Sequence, residues 1–290
     1  MLISLIVPCY NEEEAMPLFY QEAARVAAQM EKSHGAEFEI IFVDDGSKDG
    51  TLRVARELHD ADPRVRYVSF SRNFGKEAGI YAGLKAAKGD YVATLDADLQ
   101  DPPALLPDML DALLTGDYDC AATRRTTREG EPPVRSWFAR MFYRIINKMS
   151  DTEIVDGARD FRLMSRRTLQ ALMAYPERNL FLRGMVSALG YPSARVYYDR
   201  KERMAGESKY PFSKMLSFAL DGITSFSVRP LRYISMLGLL FILISLVAIA
   251  YGIVVYVEGN TIPGWTSLLV SVWFIGGTIL MALGIIGEYV

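Results

Sequence analysis

Residues 2–8, 38–43, 65–70 and 90–95 are short runs of apolar or β-branched side chains. The segments between them, such as Ala15 to Met30 and Leu52 to Leu58, space their apolar positions along one helical face. The first hundred residues therefore alternate strand and helix, a pattern that predicts an α/β fold with a mostly parallel sheet covered on both faces. In such sheets the chemistry lies in loops beyond the carboxyl ends of the strands. Those loops read PCYNEEE (8–14), VDDGSKDGT (43–51), SRNFGKEAG (71–79) and LDADLQDPP (95–103). Together they are expected to bring Asn11, Glu12, Asp44, Asp45, Lys76, Asp96 and Asp98 to one edge.

The pattern changes beyond residue 120. After Asp119 the chain turns basic, with Arg124, Arg125, Arg128, Arg135, Arg140, Arg144 and Lys148 against Glu129 and Glu131, a balance that favours phosphate or an anionic membrane surface. Trp137, Phe138, Met141, Phe142, Ile145 and Met149 fall on one helical face, as do Phe212, Met215, Leu216, Ala219, Ile223 and Phe226. The second set is expected to form an interfacial helix over 211–230. Tyr233 to Val257 and Gly259 to Gly287 hold no charged residue, and each is long enough to cross a hydrocarbon core of roughly 30 Å, so two transmembrane helices are expected within 231–290. Arg229 and Arg232 flank the first span, whereas the connection between the spans has Glu258 and no Lys or Arg; this asymmetry predicts a multi-pass protein of the cell membrane with residues 1–230 in the cytoplasm. The sequence stops at Val290, directly after the second span, which raises the expectation of a further cytoplasmic tail. The first residues, MLISLIVPCYNEE, have no basic region and a short apolar run, so they read as a strand and not a signal peptide.

Composition narrows the function classes. Across 290 residues, 32 Lys and Arg nearly balance 35 Asp and Glu, and the net charge of -3 gives no general attraction to nucleic acid. Cys9 and Cys120 lie far apart in apolar surroundings, as reduced buried thiols do. No Gly-x-Gly-x-x-Gly follows the first strand and no Gly-Lys-Ser/Thr loop occurs, so neither dinucleotide nor P-loop nucleotide binding finds its motif. Asp96-Ala97-Asp98 offers two carboxylates on one side of an extended loop, with Gln100 on that side too. Asp and Pro also favour plain turns, so the stretch taken alone reads equally as a solvated loop. Hard divalent cations in nucleotide enzymes take one or two such carboxylates together with substrate phosphates, and there act as Lewis acids toward a departing diphosphate.

Taken in order, IVPCYNEEE, IIFVDDGSKDGT, SFSRNFGKEAG, TLDADLQDPP and DFRLMSR resemble the family 2 glycosyltransferases with the GT-A fold. The similarity is to their polyprenyl-phosphate branch, which contains bactoprenol glucosyltransferases and dolichol-phosphate mannose synthases. It implies a cytoplasmic GT-A catalytic domain over 1–210 and an inverting transfer of a hexose from a nucleotide diphosphate sugar to undecaprenyl or another polyprenyl phosphate. UDP-glucose is the expected donor, with mannose, a galactose-type sugar or an aminosugar as alternatives, and Mg²⁺ or Mn²⁺ as the metal. Several relatives assemble through their membrane helices, so a homo-oligomer is a further expectation.

Carried over by position, the resemblance gives Pro8, Tyr10, Asn11, Glu12, Asp44 and Asp45 to the base and ribose, and Lys76 to the diphosphate or sugar. Asp96, Asp98 and Gln100 match the metal turn, with Asp98 also counted as catalytic. Arg124 and Arg162 are assigned to the acceptor phosphate. Asp160 matches the carboxylate proposed as base near the acceptor. A phosphate monoester is already mostly ionised at pH 7, its second pKa being about 6, so Asp160 has an alternative role in orienting Arg162 or the acceptor. The segment RKERMAGESKYPFSK (200–214) resembles a loop that folds over bound substrate, with Arg203 and Lys209 toward the donor and Ser208 toward the acceptor. A processive polysaccharide synthase shares these loops, but its Gln-x-x-Arg-Trp motif is absent. A membrane-anchored scaffold without turnover would be expected to lose the metal turn, which is present.

Overall fold

A computed structural model describes residues 1–125, 158–175, 182–198 and 264–289, with the single positions 236, 247 and 257. Seven strands form one sheet: β1 (Leu2–Cys9), β2 (Glu37–Asp44), β3 (Val65–Ser69), β4 (Tyr91–Thr94), β5 (Cys120–Arg125), β6 (Ala158–Ser165) and β7 (Ser193–Tyr198). Their spatial order is β3-β2-β1-β4-β6-β5-β7. The first four are mutually parallel, as the alternation predicts, and β5 is parallel to β7. Strand β6 runs antiparallel to both β4 and β5, a reversal that the hydrophobic pattern does not carry. Order reverses between β1 and β4, since β2 and β3 lie to one side and β4 to the other. This is the switch point at which open α/β sheets leave a crevice.

The helices are α1 (Ala15–His34), α2 (Thr51–Ala61), α3 (Lys76–Ala86), α4 (Leu106–Thr115), α5 (Arg166–Met173), α6 (Leu182–Ala188) and α7 (Trp265–Tyr289). Successive residues of a strand face opposite ways, and both faces of the sheet are buried. Ile3, Leu5 and Val7 of β1 pack with Phe19, Val54, Met109 and Leu110 from α1, α2 and α4. Ile6, Ile41 and Val43 pack on the other face with Ile80, Leu84, Leu169, Leu172 and Met185 from α3, α5 and α6. That double burial explains why the strands read as continuous apolar runs. Cys9 and Cys120 are buried and free, and burial pushes both thiols above the ordinary range.

Two details fix how the sheet presents its carboxyl edge. A Cβ on Gly83 would lie 2.2 Å from Ile6 Cγ2 and 3.2 Å from Val43 Cγ2, so glycine lets α3 sit directly on β1 and β2. At the amino end, the buried Glu39 carboxylate accepts the Ser4 hydroxyl at 2.6 Å, the Lys88 N–H at 2.6 Å and an Arg66 N–H at 2.8 Å. Burial alone would raise the Glu39 pKa, but these donors hold it below the usual carboxylate value. The buried charge is thereby satisfied far from the opposite edge.

Among the described residues no helix is long and apolar enough to cross a membrane. Helix α7 covers most of the second expected span and runs past its end to Tyr289. The first expected span is described at Met236, Val247 and Val257, each helical, and the 211–230 interfacial helix and the 137–149 apolar face lie outside the described residues.

Candidate active site

Three loops are fastened to one another at the carboxyl edge. Strand β1 ends in Cys9, and Asn11 follows with φ 55°, a left-handed conformation that asparagine tolerates. Its N–H donates to Ser47 Oγ at 3.0 Å, its Oδ1 accepts the Lys48 N–H at 2.8 Å, and the Glu12 N–H donates to Thr51 Oγ1 at 2.8 Å. These bonds tie the loop after β1 to the loop after β2. Tyr10 remains exposed on that rim, while Pro8 lies against α3, 3.4 Å from where a Gly79 Cβ would be.

Asp44 and Asp45 are both buried. Asp44 accepts the Ser47 N–H at 3.0 Å and the Ser69 hydroxyl at 3.1 Å. Asp45 accepts the N–H groups of Phe74 at 2.7 Å and Gly75 at 2.9 Å. Gly46, at φ 64°, lies so close to the loop after β3 that a Cβ would meet Arg72 backbone atoms at 2.4 Å. The Asp-Asp-Gly sequence therefore anchors residues 70–75 and, through Gly75 at φ 96°, sets where α3 begins. Lys76 is the first residue of that helix, a placement that the sequence pattern, which treats 71–79 as a loop, does not foresee.

Lys76 is the centre of the arrangement. Its Nζ lies 2.6 Å from Asp96 Oδ1 and 2.8 Å from Asp160 Oδ2, so one ammonium joins the loop after β4 to strand β6. Burial by itself would lower the Lys76 pKa; the Asp160 and Asp96 carboxylates outweigh it and raise the value well above the ordinary one. Lys76 and Asp96 are each about a third exposed, and Asp160 is 12% exposed. The Thr94 hydroxyl donates to the Asp160 carbonyl, which locks β4 to β6 at the same level.

The acidic turn continues β4, since the Leu95 N–H donates to the Ile6 carbonyl at 3.0 Å. Leu95, Ala97 and Leu99 are buried, and Asp96 and Asp98 alternate with them on the partly exposed side, as expected. The alternation stops before Gln100: Leu99 adopts φ 56°, Asp98 Oδ1 accepts the Gln100 N–H at 3.1 Å, and Gln100 and Asp101 turn inward to 8% and 4% exposure. Two outward oxygen donors fit a hard cation that arrives with phosphate oxygens. Among the described residues no group of three or more His, Cys, Asp or Glu side chains forms a cage of protein ligands alone.

Arg162 follows Asp160 by two residues, on the same face of β6, opposite Thr94 and almost buried. Arg124 lies near the end of β5 at an irregularity in its pairing with β6, so antiparallel β6 brings its beginning and the end of β5 to the same edge. Arg203, Ser208 and Lys209 lie outside the described residues. Sequence reasoning missed Tyr198, whose hydroxyl donates to the Asp101 carboxylate; the two are 97 residues apart, and no local pattern announces the contact.

The profile of glycosyl transferase family 2 matches residues 4–173. The chain is 40% identical over 294 residues to a prophage bactoprenol glucosyl transferase homolog of Escherichia coli (strain K12), with 100% of this chain and 94% of the relative covered. It is 42% identical over 291 residues to a bactoprenol glucosyl transferase of Shigella phage SfV, covering 100% and 93%. Among solved structures it is similar to glucosyl-3-phosphoglycerate synthase from Mycobacterium tuberculosis in complex with Mn²⁺, UDP and phosphoglyceric acid. That similarity has 21% identity, covers 77% of this chain and 76% of the other, and has a TM-score of 0.49.

Proposed function

The chain belongs to glycosyl transferase family 2 and is a glycosyltransferase, and we propose that it transfers glucose from UDP-glucose to undecaprenyl phosphate at the cytoplasmic face of the cell membrane. Support comes from relatives that carry the name bactoprenol glucosyl transferase and match nearly all of this chain and of themselves. The single observation that favours the reading most is the Lys76 ammonium held between Asp96 and Asp160 at the switch-point edge.

In this reading a phosphate oxygen of the lipid attacks the anomeric carbon, the bond from that carbon to the diphosphate oxygen breaks, and UDP leaves with inversion. Asp96 and Asp98 would hold Mg²⁺ or Mn²⁺, with Gln100, whose side chain turns inward here, as the third polar group of the turn; the metal would supply charge that offsets the departing diphosphate. Lys76 adds a fixed positive charge on the same side. The acceptor phosphate needs little deprotonation at pH 7, so Asp160 serves to hold Lys76 and to orient the acceptor, with Arg162 and Arg124 as its phosphate contacts. Tyr10, Asn11 and Glu12 face the nucleotide, while Pro8, Asp44 and Asp45 shape the loops that receive it. Arg203, Ser208 and Lys209 close over the bound donor and acceptor.

The membrane part of the reading rests on sequence. Tyr233–Val257 and Gly259–Gly287 carry no charge, and Arg229 and Arg232 mark the cytoplasmic side. The catalytic domain covers 1–210, the interfacial helix 211–230 and the spans 231–290, through which copies of the chain assemble. A panel of radiolabelled nucleotide sugars offered with undecaprenyl phosphate and Mg²⁺ or Mn²⁺ tests the proposal. Label from UDP-glucose is expected in the lipid fraction; label from another sugar alone corrects the donor, and lipid labelling from none of them overturns the acceptor.

A further inference from the structure

The acidic turn carries three carboxylates, and the third differs from the other two. Asp96 and Asp98 are partly exposed, whereas Asp101 is 4% exposed and accepts the hydroxyl of Tyr198, itself 7% exposed. A buried carboxylate demands partners, and a hydroxyl donor fixes its direction as apolar packing would not. Tyr198 is the last residue of β7, at the far side of the sheet from β4, with β6 and β5 between them. The bond therefore ties the turn to a strand with which β4 itself makes no pairing.

Between the outward and inward carboxylates lies Leu99 at φ 56°. A branched side chain is disfavoured there, and such a conformation persists only where both flanks are fixed. On one flank Asp98 Oδ1 accepts the Gln100 N–H at 3.1 Å. On the other stand the Asp101–Tyr198 bond, Pro102 and Pro103, and the Leu105 N–H donated to the Pro102 carbonyl at 3.2 Å. Among the described residues, Asn11 is the other non-glycine with positive φ, and it lies two residues beyond the end of β1, the strand beside β4. Both left-handed residues thus flank the switch point.

We propose that Asp101 and Tyr198 are positioning residues: their hydrogen bond holds the Leu99 bend, and so aims the Asp96 and Asp98 carboxylates outward as a pair. The inference rests on the reading of Asp96 and Asp98 as ligands of a divalent cation that accompanies a nucleoside diphosphate. It assigns the third aspartate to the protein's own frame and predicts that a residue on β7 governs metal affinity.

The test uses the full chain in detergent and measures Mn²⁺ binding in the presence of UDP by the loss of the free-ion electron paramagnetic resonance signal, beside thermal unfolding. Tyr198→Phe and Asp101→Ala are expected to weaken Mn²⁺ binding by about 10-fold or more, the range usual for partners that orient metal ligands. Asp101→Asn keeps an acceptor for the Tyr198 hydroxyl and is expected to stay within about threefold of the parent by the same comparison. Unchanged Mn²⁺ affinity in Y198F, even with a lowered melting temperature, overturns the proposal, because the pair would then be structural alone. Equal loss in D101N and D101A also overturns it, since the Asp101 charge would then matter and not its bond to Tyr198. If the parent chain binds Mn²⁺ with UDP no better than a D96N/D98N double variant does, the metal reading itself falls, and this inference with it.

Discussion

Lys76→Met is the substitution whose outcome the site geometry defines most tightly. It removes an ammonium 2.6 Å from Asp96 and 2.8 Å from Asp160 and leaves two carboxylates facing one another across the gap. Removing one partner of a fully buried pair costs about 3–5 kcal/mol, whereas an exposed pair is worth about 0–1 kcal/mol. Here Asp160 is 12% exposed and Lys76 32%, so the site lies between these limits and about 2 kcal/mol is expected. For a chain of this size that is a fall of about 4–8 °C in melting temperature, read by thermal unfolding of the ligand-free full chain in detergent. Asp160→Asn should cost about 1 kcal/mol, and the double variant less than the sum, with a coupling of about 1–2 kcal/mol. Mn²⁺ without nucleotide should raise the melting temperature of K76M more than that of the parent, because Asp96 no longer has an internal cation, while sugar transfer falls. A K76M change within about 0.5 kcal/mol, the range of an ordinary surface site, or strict additivity with D160N, would refute the claim that Lys76 braces the two strands.

Glu39→Ala should leave the Ser4, Lys88 and Arg66 donors without their acceptor and cost about 3 kcal/mol in chemical unfolding, yet leave the KM for the nucleotide sugar unchanged, since Glu39 sits at the opposite edge. Gly83→Ala should destabilise by about 1–3 kcal/mol and lower kcat as well, because the new Cβ pushes α3, and with it Lys76, off β1. Asp62 is held from the ordinary 3.8 down to about 2, first by the Arg64 side chain and then by the Arg64 N–H and the Tyr20 hydroxyl, against its burial. A depressed carboxylate stabilises above its unfolded value and loses that contribution as pH falls through its folded value. Unfolding free energy should therefore drop by about 1–2 kcal/mol between pH 5 and pH 2 after allowance for the half-exposed Arg64, and by less in Asp62→Asn.

Much of this was legible in the sequence, for reasons that are local. The first four strands are runs of apolar residues because both faces of the sheet are covered, and their loops collect charge because a loop end is where charge can be solvated. From the alternation of strand and helix alone, Asn11, Asp44, Asp45, Lys76 and Asp96 are expected at one edge, the carboxyl edge of the parallel strands. What the pattern could not reveal is how each side chain is used once there. Asp44 and Asp45 spend their oxygens on Ser47, Ser69, Phe74 and Gly75 within the chain. Lys76 points to two carboxylates, one of them 84 residues away. Antiparallel β6 and the Tyr198 contact were illegible for the same reason, since both depend on pairings between distant segments that leave no periodic trace.

The order of the strands arranges these groups along a line. From β2 through β1, β4, β6 and β5, the edge carries first the Asn11 and Asp45 loops, then Asp96 and Asp98, then Asp160 with Arg162, and last Arg124. On the reading proposed above, that sequence is nucleotide, metal and diphosphate, reacting carbon, and acceptor phosphate. Asp96, Asp98 and Asp160 against Lys76 place three carboxylates and one ammonium at the centre of the line, an excess that on this reading a divalent cation entering with the diphosphate would offset. Beyond Asp160, Arg162 and Arg124, on the neighbouring strands β6 and β5, are the residues assigned to the acceptor phosphate. On that reading one edge would hold two anion sites of different design, one dependent on a cation and one built from arginine, with the Lys76–Asp160 pair lying between them.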